Sequence, residues 1–359
     1  SLTNLSAQIY SSRLIDIRNL DKLKKSIKDA CPSVVIHMAA QPLVRESFNT
    51  PVETFTANVI GTINVLEAAR HVGTVRAIVN ITTDKCYENK EWIFPYREND
   101  ELGGHDIYSS SKACVELITK AWQKSFLRED NKKISIASAR AGNVIGGGDW
   151  TEDRLVVDLV KSRYTGKKLH IRYPESTRPW QHVLDPLCGY LQLAMYLSKN
   201  KNLIGAYNFG PDNASNLTTI ELINLFADLD KGYSEGLKVE KPRFHEASHL
   251  MVDSSKAKVN LEWSPVFKIN EELLNLNISL ELSIFQRLLQ EARQQEQRAQ
   301  QDANKVIVEI KNTTEYILAL YWTASTNTLD MTGGIKLLDY ITPWETKRGI
   351  KFYKHHESK

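Results

Sequence analysis

A chain of 359 residues with 42% hydrophobic side chains is long enough to bury a sizeable core, as one large α/β unit or two lobes. Its 46 basic and 43 acidic side chains leave a formal charge of only +3, with no long basic run, which argues against nucleic acid or a membrane surface and favours a small-molecule substrate. No stretch reaches the roughly 18 apolar residues of a membrane span, and SLTNLSAQIY has neither the charged nor the apolar region of a signal peptide, so a cytoplasmic protein is expected.

In chain order, IDIRN comes first, and its Asn19 is placed to cap a helix over LDKLKKSIKDA. Apolar runs of strand length then alternate with longer amphipathic stretches: SVVIHMAA, VETFTANVIGTINVLEAARHV, VRAIVNITT, IYSSSKACVELITKAWQKSF and ISIASAR. This alternation predicts parallel strands joined by crossover helices in a doubly wound sheet, with functional residues at the carboxyl ends of the strands. From Asn143 the pattern breaks into Gly-rich and Pro-containing segments with helices between them. Residues 1–142 therefore read as the sheet domain, and residues 143–269 as a smaller lobe over its carboxyl edge, with some return to the sheet.

Residues 270–359 differ again and read as an atypical helical extension. Leu282, Phe285, Leu289, Ala292, Glu296, Ala299, Ala303 and Val306 keep heptad spacing, but the Glu and the alanines make a poor seam, so a packed or solvated helix is expected there. Four cysteines are scattered without C-x-x-C spacing and read as reduced thiols. His245 and His249 stand four apart with no third ligand in view, so no metal is expected.

Two spacings carry chemistry. In HDIYSSSK, Tyr108 and Lys112 lie four apart at a helix start and so share a face. A nearby ammonium favours the phenolate and would make Tyr108 a usable base for a sugar hydroxyl. In ITTDKCYENK, Asp84 and Lys85 follow a strand; neighbours on a strand point to opposite faces, so the strand must end by Thr83 if both are to meet one substrate. A solvent-exposed Asp-Lys pair in a loop is the alternative.

Together HMAAQ, NVIGTINVLEA, ITTDK and YSSSK resemble the extended short-chain dehydrogenase/reductase family, over about residues 13–265. Within it, RAGNVIGGGDWTEDRLVVDLV, STRPWQHVLDPLCGYLQLA and HEASHLMVDSSKAKVNLEWSP resemble the branch that dehydrates CDP-glucose for deoxy-sugar synthesis. The resemblance implies a Rossmann-like fold, bound NAD and a homodimer paired through residues 52–72 and 108–126. It implies catalytic roles for Thr83, Asp84, Lys85, Tyr108 and Lys112, with the acid and base of the Asp84–Lys85 pair left open. Asp16, Ile17, Ala39, Ala40, Gln41, Asn58 and Thr82 would line the cofactor with Tyr108 and Lys112, although Asn58 is as well suited to satisfying a backbone group. Asn143, Arg154 and Arg178 would hold the nucleotide-sugar, the arginines because a planar guanidinium matches phosphate oxygens. His182 reads as either a buried structural histidine or a site residue.

The family's G-x-x-G-x-x-G after a first strand has no counterpart here. That departure leaves two expectations, a piece of a longer active enzyme or a chain without turnover. A nucleotide-sugar 4-epimerase or reductase sharing Tyr108 and Lys112, and a non-catalytic nucleotide-sugar-binding protein, are the rival readings.

Overall fold

The computed structural model describes residues 11–126, 134–146, 149, 151, 153–165, 168–199, 203–212, 215–229, 237–240, 247–267 and 307–308. Asn19 caps the first helix, α1 (Leu20–Ala30), by accepting the Lys22 amide at 3.1 Å; Cys31, in the left-handed region at φ 49°, closes it by donating to the Ile27 carbonyl. After β1 (Val34–His37) come α2 (Val44–Asn49) and α3 (Pro51–Phe55), the proline sitting in the first turn, where its missing N–H leaves nothing unpaired. A π turn, Thr56–Ile60, joins α3 to α4 (Gly61–Arg70). The longer elements continue with β2 (Ala77–Ile81), α5 (Ile107–Phe126), β3 (Ser135–Ala141), α6 (Leu155–Thr165), α7 (Leu184–Lys199), β4 (Gly205–Phe209), α8 (Thr219–Leu229) and α9 (Ser255–Leu261).

The four strands form one parallel sheet in the order β1-β2-β3-β4, with Val34 opposite Ala77, Ala77 opposite Ser135 and Ala137 opposite Gly205. Their side chains alternate between two cores. Ile78 and Ile136 pack with Leu23 and Ile27 of α1 and with Val65 and Leu66 of α4. Val34, Ile36, Val79 and Ala137 turn the other way, against Leu193 and Leu197 of α7 and Leu261 of α9. A sheet covered on both faces explains why its strands read as near-continuous apolar runs. Each fully buried Leu or Ile contributes about 1.5–3 kcal/mol. A Cβ at Gly61 would collide with the Ile17 side chain, so glycine there lets α4 close on the segment before α1.

Beyond β3, Val144–Ile145 pairs with Gln181–His182 and His170–Ile171 with Lys238–Val239, both parallel; Thr177–Pro179 pairs antiparallel with Asn216–Thr218. These pieces enclose a third core built on Leu159, Ile171, Trp180, Leu222, Ile223 and Phe226. Of residues 270–359, the described pair Ile307–Val308 lies antiparallel to Ser12–Arg13. The heptad-spaced residues 282–306 lie outside the described residues, as does His245.

Candidate active site

β2 ends at Ile81, and the Thr82 amide still donates to the Ala139 carbonyl at 2.8 Å. Thr83 is extended and opens a single 3-10 turn, Asp84–Cys86, by accepting the Lys85 amide on its hydroxyl at 3.3 Å. The change from strand to turn removes the strict alternation of faces, as the sequence required. Asp84 is fully buried; its Oδ1 accepts the Thr83 hydroxyl at 3.0 Å, and its Oδ2 has no partner among the described residues. Burial pushes its carboxyl above the ordinary range, against the opposing pull of Lys85, the Thr83 hydrogen bond and Arg178. A Cβ at Gly142 would collide with the Pro179 ring and come within 3.1 Å of Asp84 Oδ2, so glycine leaves that oxygen open.

α5 is started by Asp106, whose carboxylate accepts the Ser109 amide at 2.9 Å and the Ser109 hydroxyl at 2.6 Å. This fixes Tyr108 and Lys112 on the inner face, both buried. Burial pushes the Tyr108 phenol up; the hydrogen bond with Thr83 and then the Arg154 charge draw it back, while Asp84 raises it further. Expected to act on that phenol, Lys112 instead donates to the Ile81 carbonyl at 3.3 Å, and Thr83 and Arg154 are the groups that lower Tyr108 most. Burial brings the Lys112 ammonium down to about 8.

On the expected cofactor side, Asp16 is gripped by Arg18, which donates to its two oxygens at 2.6 to 3.0 Å and also reaches Glu53. Ile17 is buried in the core, and its carbonyl accepts from Asn64 at 3.0 Å. Ala39 and Ala40 stand just past β1, half-buried at its carboxyl end. Asn58 resolves toward its structural alternative: in the π turn it accepts the Gln41 amide at 2.7 Å, donates to the Gln41 carbonyl at 3.1 Å and donates to Ser111 on α5 at 2.9 Å. The Gln41 side chain is likewise taken, by Thr54 at 2.8 Å and the Leu43 backbone. Thr82 is buried with its hydroxyl on Glu116. Asn58 and Gln41 thus build the floor under the strand ends instead of pointing polar groups outward.

On the substrate side, Arg178 is buried close enough to Asp84 to lower its pKa, and Nη1 donates to the Thr177 carbonyl at 2.9 Å. Arg154 is more exposed, 3.7 Å from Asp149, and its charge is felt by Tyr108. Asn143 is half-buried after β3 and its carbonyl accepts the Gln181 amide at 3.0 Å. His182 proves structural: it accepts the Leu184 amide at 3.3 Å, stacks on Phe267 with ring centroids 4.4 Å apart, and is lowered by burial to about 4.

Sequence reasoning missed a buried polar network beneath this site. Arg140 on β3 donates to Glu116 at 2.9 Å and to the Tyr87 hydroxyl at 2.8 Å, and Tyr87 donates to Asn208 on β4 at 2.7 Å. The available signal was polar Asn80, Ser138 and Arg140 inside otherwise apolar strand runs.

The sequence pattern of the GDP-mannose 4,6 dehydratase family matches residues 4–275. The CDP-glucose 4,6-dehydratase of Salmonella typhimurium is 43% identical over 269 residues, covering 74% of this chain and 75% of that enzyme. The dTDP-glucose 4,6-dehydratase of Shigella flexneri is 23% identical over 290 residues, 74% of this chain and 77% of its own. Among solved structures, UDP-glucose 4-epimerase of Thermotoga maritima with UDP-glucose superposes with a TM-score of 0.66 at 24% identity, covering 77% of this chain and 84% of that one. A dTDP-glucose 4,6-dehydratase of Streptomyces venezuelae with NAD bound gives a TM-score of 0.63 at 21% identity, covering 73% and 76%. At these identities the two structures bear on the fold alone.

Proposed function

The chain belongs to the GDP-mannose 4,6 dehydratase family, in the extended short-chain dehydrogenases/reductases, and from that premise we infer that it is a hydro-lyase converting CDP-glucose to CDP-4-keto-6-deoxyglucose with NAD as cofactor. The donor set at the end of β2 fits the nicotinamide ribose end of that cofactor: a buried ammonium, a phenol and a hydroxyl converge there. When bound, NAD supplies the oxidation, taking the hydride from sugar C4 and returning it at C6. Tyr108 receives the proton of the C4 hydroxyl, the Thr83 hydroxyl hydrogen-bonds that oxygen, and Lys112 holds the ribose.

Oxidation at C4 acidifies the C5 proton, and loss of that proton together with the 6-hydroxyl needs one base and one acid. Asp84 is the acid: its buried carboxyl is biased toward the protonated form and carries an oxygen with no partner among the described residues. Lys85, on the same turn, takes the C5 proton and returns a proton to C5 as the hydride arrives at C6. Arg178 and Arg154 hold the diphosphate and Asn143 the adjoining sugar.

The unpartnered Oδ2 of Asp84 beside Thr83 and Tyr108 carries this reading, because an epimerase has no use for an acid aimed at the 6-hydroxyl. Purified protein given CDP-glucose and NAD should form a 4-keto-6-deoxy sugar; an epimerised sugar retaining its 6-hydroxyl would contradict it. Homodimerisation through residues 52–72 and 108–126 is part of the proposal, supported by Val52, Ile60 and Leu117, which stand 76, 45 and 56% exposed on those stretches. A monomeric mass in solution would count against it. A cytoplasmic location completes the reading; among the described residues no helix is long and apolar enough to cross a membrane.

A further inference from the structure

Glu116 lies one helical turn beyond Lys112 on α5, at the spacing that puts both side chains on one face. Its side chain is only 3% exposed. One carboxylate oxygen accepts the Thr82 hydroxyl at 2.5 Å; the other accepts the Ser138 hydroxyl at 2.6 Å and the Arg140 guanidinium at 2.9 Å. Those donors belong to β3 and to the residue that follows β2, so one carboxylate ties α5 to two strands. No step of the proposed dehydration uses it.

A buried carboxylate is costly unless it is well compensated. Burial works to protonate Glu116, but the Arg140 charge and the hydrogen bonds from Arg140, Ser138 and Thr82 outweigh it and hold the group below the ordinary range. It is therefore an anion at neutral pH. Against the burial that lowers Lys112, Glu116 is the largest opposing influence. The other titratable neighbours of Lys112 are neutral there: His37 on β1, lowered to about 3 by burial and then by Lys112; the Cys86 thiol, raised by burial; and the Tyr108 phenol, raised by burial.

We propose that Glu116 is a positioning residue of the hydride-transfer site: through Thr82 it fixes the strand end that carries Thr83 and Asp84, and its carboxylate is the counter-charge of the Lys112 ammonium. The proposal rests on Tyr108 and Lys112 as the oxidation pair, but its electrostatic half is measurable without turnover.

The test is a pH titration of the Lys112 Cε resonance in the free protein, parent against Glu116→Gln, followed by kcat–pH profiles with CDP-glucose and NAD. Removing the anion makes the ammonium less favourable, so the midpoint should fall from about 8 by about one pH unit. Lys112 acts as an ammonium, so activity is present below its pKa and lost above it, and the alkaline limb of kcat should move toward acid by the same amount. Thr82→Val keeps the carboxylate and loses the anchor; kcat should drop about tenfold with the limb in place and the KM for CDP-glucose little changed. An unmoved Lys112 midpoint in Glu116→Gln, or undiminished kcat in Thr82→Val, overturns the proposal. Should Glu116→Gln not fold, Thr82→Val carries the test. A parent that gives no 4-keto-6-deoxy product, while the midpoint shifts as expected, refutes the dehydratase reading and leaves the counter-charge standing.

Discussion

Asp84, in the turn after β2, and Glu116, on α5 against β3, are both carboxyl groups closed off from water, and they are treated in opposite ways. Glu116 receives hydrogen bonds on both oxygens and a guanidinium beside it, and its pKa is drawn down. Asp84 receives one hydroxyl, keeps an oxygen without a partner among the described residues and is pushed up by burial. The same residue chemistry thus yields an anion held by its donors and a carboxyl pushed toward its protonated form. What separates them is the supply of donors, not depth of burial, and pairs of titratable groups pushed apart in this way are how acid and base roles are divided.

The largest break in that comparison should come from Asp84→Asn, which keeps the shape and removes the proton: turnover should fall roughly 10²–10⁴-fold, with CDP-glucose binding retained by calorimetry. Arg140→Met attacks the other member. It strands Glu116 as a buried charge without its ion partner, so unfolding in urea should show a loss of about 3–5 kcal/mol.

Histidine titration sharpens the contrast, because it shows what burial does with no ion partner. His182 sits at about 4 in the native state against 6.5 ordinarily, so the unfolded chain takes up a proton that the native state refuses. Its stabilising effect is present above pH 6.5 and is lost as the pH falls toward 4, on the order of 3 kcal/mol. The urea midpoint should drop across that window, and His182→Leu should lessen the drop, the remainder following the likewise buried His37. The smallest effect is expected from Asp106→Ala, which removes the cap of the helix carrying Tyr108, Lys112 and Glu116. It should cost about 1 kcal/mol.

Much of the fold was legible in the sequence, because parallel strands covered on both faces write themselves as apolar runs between amphipathic helices. The end of β2 before Thr83 was legible too, since an adjacent acid and base can share a substrate only where the strand alternation stops. Asn58 was not decided by its sequence: a helical Asn gives no sign that a π turn will direct it at the Gln41 backbone. Nor was the Glu116–Arg140 pair, for an i, i+4 glutamate reads as surface charge until the sheet brings β3 against α5. The expected pull of Lys112 on Tyr108 failed for a similar reason, as spacing along a helix does not reveal that the ammonium is drawn to the Ile81 carbonyl.

The central claim is that Asp84 protonates the departing 6-oxygen, and the measurement that meets it most directly compares Asp84→Asn on CDP-glucose and on its 6-deoxy-6-fluoro analogue with NAD. Fluoride leaves without needing a full proton, so the account predicts that the variant, crippled on the natural sugar, regains most of the parent's rate on the fluoro-sugar. An equal defect on both sugars would place the role of Asp84 before the loss of the 6-substituent and contradict the assignment.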